Sequence, residues 1–470
     1  MKRQWITAGV IAVCLAVLGA VWLFLGNPDS SEGNKERKEI ALWKDGSTIQ
    51  QIETENEQGG FLLYWDGEEA AVKGMEDLPL DEGTVENIRK NLENLTAEQE
   101  VSDGQDRLSD FGLDHPKAQV LITSDNGDNM TVQIGEEVPG EEGTLRYLLW
   151  EDQVLIVKSS QIEDLLYGRE SLVSRELTPE YPEGEEDLLI TRLEIAENGG
   201  SDLILEYRDS QELAGYTVNS YQMVSPRDYP ADAGVTVDVY PDLFGIQAES
   251  VERIHPDEQE KETTGLADPW KTLQVEYTDS EGKAYSFSLQ VSRPDHGMVY
   301  VMSGDTDVIY TCSEDKMPWM EETADSLVSH TVLAADIKTL DRLEITAGGE
   351  QYQFQFEDVG GEKERITCNG SETDGGSFRS FYYTLAGLSA DQVLFTDFPD
   401  TAALKEEARI TYQYQDGTED VLTCYHEESR QVYVELNQGE RGFLLQASQL
   451  ETMLDTVKRL AAGEEIAARY

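Results

Sequence analysis

Positive charge, cysteine and histidine are all scarce in this chain of 470 residues, and each shortage narrows its chemistry. Only 36 Lys+Arg stand against 94 Asp+Glu, a formal net charge of −58. That balance repels phosphate backbones and anionic headgroups, so no nucleic-acid partner is expected and no peripheral docking on lipid; it favours a solvated acidic surface. The four cysteines, Cys14, Cys312, Cys368 and Cys424, form no CxxC pair, which removes the zinc knuckle and the thioredoxin-type redox motif. A bridge between Cys368 and Cys424 would suit an oxidising compartment, but spacing alone does not establish it.

The five histidines, His115, His255, His296, His330 and His426, stand singly, without HxxxH or HExxH spacing. GxSxG, P-loop and GxGxxG sequences are missing. Ser313 to Lys316 matches SxxK but has no companion motif. Asp125 to Asn129 lacks the spaced ligands of an EF-hand loop and reads as a hairpin turn. With 94 acids, pairs of carboxylates at any separation arise by chance and point to no glycosidase. The expectation is a protein with no metal, no cofactor and no catalytic residue, and not an enzyme. Trp65, Trp150, Trp270 and Trp319 could form a carbohydrate platform, although packing is the default role of such rings.

What is present is an apolar run at one end and repetition through the rest. Trp5 to Gly26 (WITAGVIAVCLAVLGAVWLFLG) holds 22 residues without a charge, long enough as a helix to span a hydrocarbon core of about 30 Å. Lys2 and Arg3 favour a cytoplasmic amino terminus, while Lys35, Arg37 and Lys38 on the far side are diluted by acids. A cleaved signal peptide fits less well, because the run ends in Leu-Phe-Leu-Gly-Asn-Pro; a lipoprotein fits less well, because Val13 precedes Cys14. Residues 1–26 are read as a transmembrane anchor and 27–39 as a polar tether.

The body repeats itself. Thr191-Arg192-Leu193-Glu194-Ile195 recurs as Asp341-Arg342-Leu343-Glu344-Ile345, each leading into a turn and an alternating strand, and Ile49 to Thr54 is a degenerate first copy. Helices are expected along Val85, Ile88, Leu92 and Leu95, and along Phe378, Phe381, Tyr382, Leu385 and Leu388. The middle helix, with Pro241, is expected to be short or irregular. Phe111-Gly112-Leu113-Asp114-His115-Pro116 recurs as Gly265-Leu266-Ala267-Asp268-Pro269 before a pair of strands. The reading there is a tight turn, with Gly112 and Gly265 supplying unusual φ, Leu113 and Leu266 packing inward, Asp114 accepting backbone N–H bonds, and Pro116 and Pro269 opening a strand. A last hairpin begins near Tyr147, Tyr300 and Tyr433, and a short helix follows it in the first and third copies. The fold class is therefore α+β: three related β-hairpin-rich modules, each with one or two helices, over 40–185, 186–335 and 336–470, with Pro179, Pro182 and Gly184 marking the first join.

The DFGLDHP run, the Ile134-Gly135 step and the Tyr147 to Val157 hairpin resemble the DUF4340 family of uncharacterised bacterial proteins, whose signature is Tyr-Gly-Leu-Asp-x-Pro. Phe111 replaces the Tyr, and the second copy reads Gly-Leu-Ala-Asp-Pro. The resemblance is clearest over about Leu42 to Leu166, weaker in the second module, and present only in outline in the third. It implies an N-terminal membrane segment before β-rich units, and ABC-type transporter components as partners. It carries over no catalytic residue. The resulting expectation is a single-pass cell-membrane protein with an extracytoplasmic body, acting as a non-catalytic scaffold or accessory subunit. Alternatives are a receptor for peptide or cell-wall glycan, and a cell-envelope hydrolase.

Overall fold

The computed structural model describes residues 40–41, 43, 47–181, 188–208, 220–304, 306–426 and 430–467. The apolar segment, Cys14, the tether, and Pro182 and Gly184 of the first join lie outside the described residues. No helix among the described residues is long and apolar enough to cross a membrane.

The architecture is mostly β with few helices, arranged as three nine-stranded antiparallel sheets. The first contains Ile40–Ala41 (β1), Ile49–Asn56 (β2), Phe61–Asp66 (β3), Glu69–Val72 (β4), Thr96–Glu100 (β5), Ala118–Ser124 (β6), Asn129–Glu137 (β7), Leu145–Trp150 (β8) and Gln153–Lys158 (β9). The second contains Leu189–Glu197 (β10), Leu203–Tyr207 (β11), Tyr221–Ser225 (β12), Tyr229–Pro230 (β13), Ser250–Ile254 (β14), Lys271–Thr278 (β15), Ala284–Val291 (β16), Met298–Ser303 (β17) and Val308–Ser313 (β18). The third contains Leu340–Ala347 (β19), Glu350–Glu357 (β20), Arg365–Cys368 (β21), Ser371–Glu372 (β22), Gln392–Leu394 (β23), Lys405–Tyr414 (β24), Glu419–His426 (β25), Gln431–Leu436 (β26) and Arg441–Gln446 (β27).

The strand order is the same in each: β5-β9-β8-β7-β6-β2-β3-β4, then β14-β18-β17-β16-β15-β10-β11-β12, then β23-β27-β26-β25-β24-β19-β20-β21. A bulge recurs where the first strand meets its long-range partner, between Ile49 and Gln51, Ile190 and Arg192, and Leu340 and Arg342. Along these strands buried apolar side chains alternate with exposed ones, so register is held by the core face.

Helices cover that face unequally. Glu82–Glu93 buries Val85, Ile88 and Leu92, and Gly375–Ala386 buries Phe378, Phe381 and Leu385. Asp374 caps the second of these, accepting from the Ser377 N–H at 2.7 Å. At the equivalent place the middle copy has a π-type turn at Val235–Val239 and a 3-10 turn at Pro241–Leu243. Alternating valines and a proline without an N–H disfavour a regular helix there. After the last hairpin, Ala447–Ala461 is the expected helix, but the first copy has three 3-10 turns instead, because Ile162 breaks the helical path at φ −136. The α+β expectation thus overstates the helical share.

Cys312, Cys368 and Cys424 are buried free thiols. Three strands separate β21 from β25, placing Cys368 and Cys424 roughly 19 Å apart at the usual strand spacing, so they form no bridge.

The chain divides into two compact units, one of the described residues up to Glu76 with Glu82–Leu172, the other of Asp77–Asp81 with Val173 onward. Inside the second unit one pattern of backbone bonds occurs twice. Ser174 N–H donates to Pro79 O at 2.9 Å as Ser329 N–H does to Pro230 O at 2.8 Å; Leu177 donates to Ile246 O and Val332 to Leu388 O; Arg175 O and His330 O accept from Ala248 and Ala390. Val173-Ser174-Arg175 and Val328-Ser329-His330 are thus a further repeat.

At His330 this joint depends on charge. Nδ1 faces Ala390 O at 2.9 Å and Nε2 faces Asp325 O at 3.1 Å, with the Asp325 carboxylate 3.5 Å away. A neutral imidazole has one N–H, so only the imidazolium satisfies both oxygens. Burial lowers the His330 pKa, but the Ala390 and Asp325 carbonyls and the Asp325 and Asp232 charges outweigh it, and the net shift is upward. Stability from a raised pKa is fully present below the unfolded value of about 6.5 and is lost as pH rises through the folded value. Thermal unfolding of wild type and His330→Gln across that window should show a gap that closes as pH rises; a gap independent of pH would refute this role.

Candidate functional site

The Gly-Leu-Asp-x-Pro turns come first, as the best-marked local sequence. Gly112 and Gly265 both lie in the left-handed region, at φ 66 and φ 76, each ending a short helical segment. Leu113 and Leu266 are buried, and their N–H groups close the turns on Leu108 O and Lys261 O at 2.9 and 2.8 Å. Phe111, Leu113 and Val154 pack together, with the Tyr147 ring 4.7 Å from that of Phe111. Asp114 does not do what was expected of it: it is exposed, and its carboxylate accepts no hydrogen bond among the described residues. Pro116 and Pro269 precede β6 and β15. Asp268 is also exposed, but it borders a cavity.

The other candidates from the sequence are not brought together. His255 meets Asp77 at 3.1 Å and His426 meets Glu407 at 3.2 Å, in separate places. Among the described residues no group of three or more His, Cys, Asp or Glu side chains could hold a metal ion. Burial pushes the Cys312 and Cys368 thiols up to about 11 and Cys424 to about 12, so near neutrality they are protonated and poor nucleophiles. Lys316 of the SxxK match is paired with Glu249 at 2.8 Å and bonded to Gln247 O. Asp125 to Asn129 forms the turn between β6 and β7, closed by Ser124 N–H on Asp128 O at 2.9 Å.

The four tryptophans separate into core and cavity. Trp65 and Trp319 are buried, and Trp150 lines a cavity of about 210 Å³ in the first unit, small for a ligand pocket. Trp270, in the second unit, stands between two larger cavities of about 690 Å³ and 400 Å³ and lines both. Its Nε1 donates to Glu197 Oε1 at 3.2 Å. Next to it, Lys271 is only 7% exposed, donates from Nζ to Met320 O at 2.6 Å, and lies 5.0 Å from the Trp270 ring centre and 3.9 Å from Glu197.

Pairing across the sheets makes this lysine an exception. Ala118 faces Asn56, Lys271 faces Glu197 and Ala408 faces Ala347, one equivalent position in three copies. Two copies bury an alanine, each 1% exposed, where the second buries an ammonium group. Burying that charge is costly, and nothing in the shared fold requires it. Trp270 likewise replaces Lys117 and Glu407. Trp270 was a candidate from the sequence and Lys271 was not; the departure from the repeat was the signal that could have found it.

The molecule is a tandem array of open antiparallel sheets sharing one strand order, with two cavities beside Trp270 in the second. It belongs to the family described as Domain of unknown function (DUF4340), which matches it twice, over residues 72–269 and 222–408. The matches begin later than Leu42 and extend into the third sheet, further than the expected outline resemblance. The first runs from the end of β4 to just before β15 and the second from β12 into β24, so each match straddles two sheets. No curated protein and no solved structure matches the chain.

Proposed function

We propose that this protein is a non-catalytic scaffold or accessory subunit of the cell envelope, anchored by the Trp5 to Gly26 segment with its body outside the cytoplasm. It works with membrane partners of the ABC transporter type. The observation that carries this reading is the repetition of one sheet three times, which multiplies surface while keeping one internal plan. The buried, protonated thiols and the separated histidines are in keeping with it. The test is purification of the full chain from its native membrane in mild detergent. ATP-binding and permease subunits should co-purify in fixed proportion, and reproducible recovery of a lone monomer would overturn the scaffold reading.

A second reading, that of a ligand receptor, is favoured by the two cavities that share Trp270.

A further inference from the structure

We propose that the groove of about 690 Å³ beside Trp270 binds a neutral oligosaccharide. The inference rests on the receptor reading and names its ligand class. The volume lies within the range of small-molecule sites. Asn198, Glu262, Asp268, Arg293, Asp295 and Tyr300 line the groove with the Trp270 ring. Arg293 makes no ion pair among the described residues, despite the excess of acids, and its guanidinium lies 5.7 Å from the Trp270 ring centre.

The mixture of signs selects the ligand. A simple anion meets the Glu262, Asp268 and Asp295 carboxylates, and a simple cation meets the Arg293 guanidinium, which no acid pairs with among the described residues. Hydroxyl groups both donate and accept, so each of these side chains can bond to a sugar. The apolar C–H face of a sugar ring suits an indole platform. A peptide is less well served. Extended peptides are read by main-chain bonds at a free strand edge, and β17 and β18, the strands that line this groove, are both interior strands. The platform is also held in place before any ligand arrives, by Glu197 on its Nε1 and by the buried Lys271. The first and third sheets have Lys117 and Glu407 in place of Trp270, so the site belongs to the second sheet alone.

The test is calorimetric titration of the full chain in detergent with maltotriose and with triacetylchitotriose, and with trialanine as the peptide probe. At least one trisaccharide should bind saturably with one site per chain. Trp270→Ala should weaken that binding on the order of tenfold or more, through loss of the stacking area. Arg293→Gln, at an exposed position that the fold does not need, should weaken it several-fold with unfolding unchanged, and covers the case in which Trp270→Ala fails to fold. Trisaccharide binding untouched by both substitutions overturns the proposal. Binding of trialanine alone, lost in Trp270→Ala or Arg293→Gln, overturns the saccharide class and keeps the receptor; silence from all three probes sinks both.

Discussion

Replacing Phe378 by alanine is expected to destabilise the second unit by about 3–5 kcal/mol. Phe378 is fully buried, with ring centres at 5.0 Å from Phe354, 5.2 Å from Phe356 and 5.9 Å from Phe381. It fixes the helix Gly375–Ala386 onto β20 of the third sheet. Alanine keeps the helix propensity, so the loss isolates the cavity and the missing ring contacts. Phe378→Leu fills part of the space and should cost less than about 1.5 kcal/mol. Urea unfolding of the three proteins measures both values. A loss below about 1 kcal/mol for the alanine variant would mean that the helix is not held by this ring.

In the first unit, Gly135→Ala is expected to cost about 1–3 kcal/mol although the residue sits in a strand. A Cβ at Gly135 would lie 2.3 Å from Phe111 O and 3.1 Å from the Leu113 side chain. The nearest atom is backbone, so no rotamer change relieves the contact, and the Phe111 to Leu113 turn must lift from β7. At Gly127, by contrast, a Cβ would meet no atom, and Gly127→Ala carries only the strain of φ +84. The two variants separate packing from backbone conformation, and thermal unfolding reads the difference. If Gly135→Ala melts with wild type, the turn is not packed as described. Glycine at this step is what lets the best-marked motif of the sequence press against the sheet.

Much of the fold was legible because the hairpins are local. Leu193 and Ile195, or Leu343 and Ile345, declare a buried face by period-two alternation alone, and the glycine turns that follow declare the partner strand. Strands at or next to the sheet edges were not legible. β4, β12 and β21, and the short β1, β13, β22 and β23, are too brief or too mixed in pattern to stand out. They become strands because a hydrogen-bonding edge is already there to receive them. The expected role of Asp114 failed for a related reason: a turn sequence says where the chain bends, but not which carboxylate finds an N–H.

The sequence alone determined the repetition, the turns with their left-handed glycines, and the family, since each depends on residues close together in the chain. Tertiary structure decided the rest. It set β6, β15 and β24 against the first strand of each copy, which is a long-range pairing no local pattern encodes. It kept Cys368 and Cys424 apart, and it placed Trp270 between two cavities with a buried lysine beside it. Those outcomes depend on which strands become neighbours across a sheet, and neighbours there are chosen by burying a whole face at once.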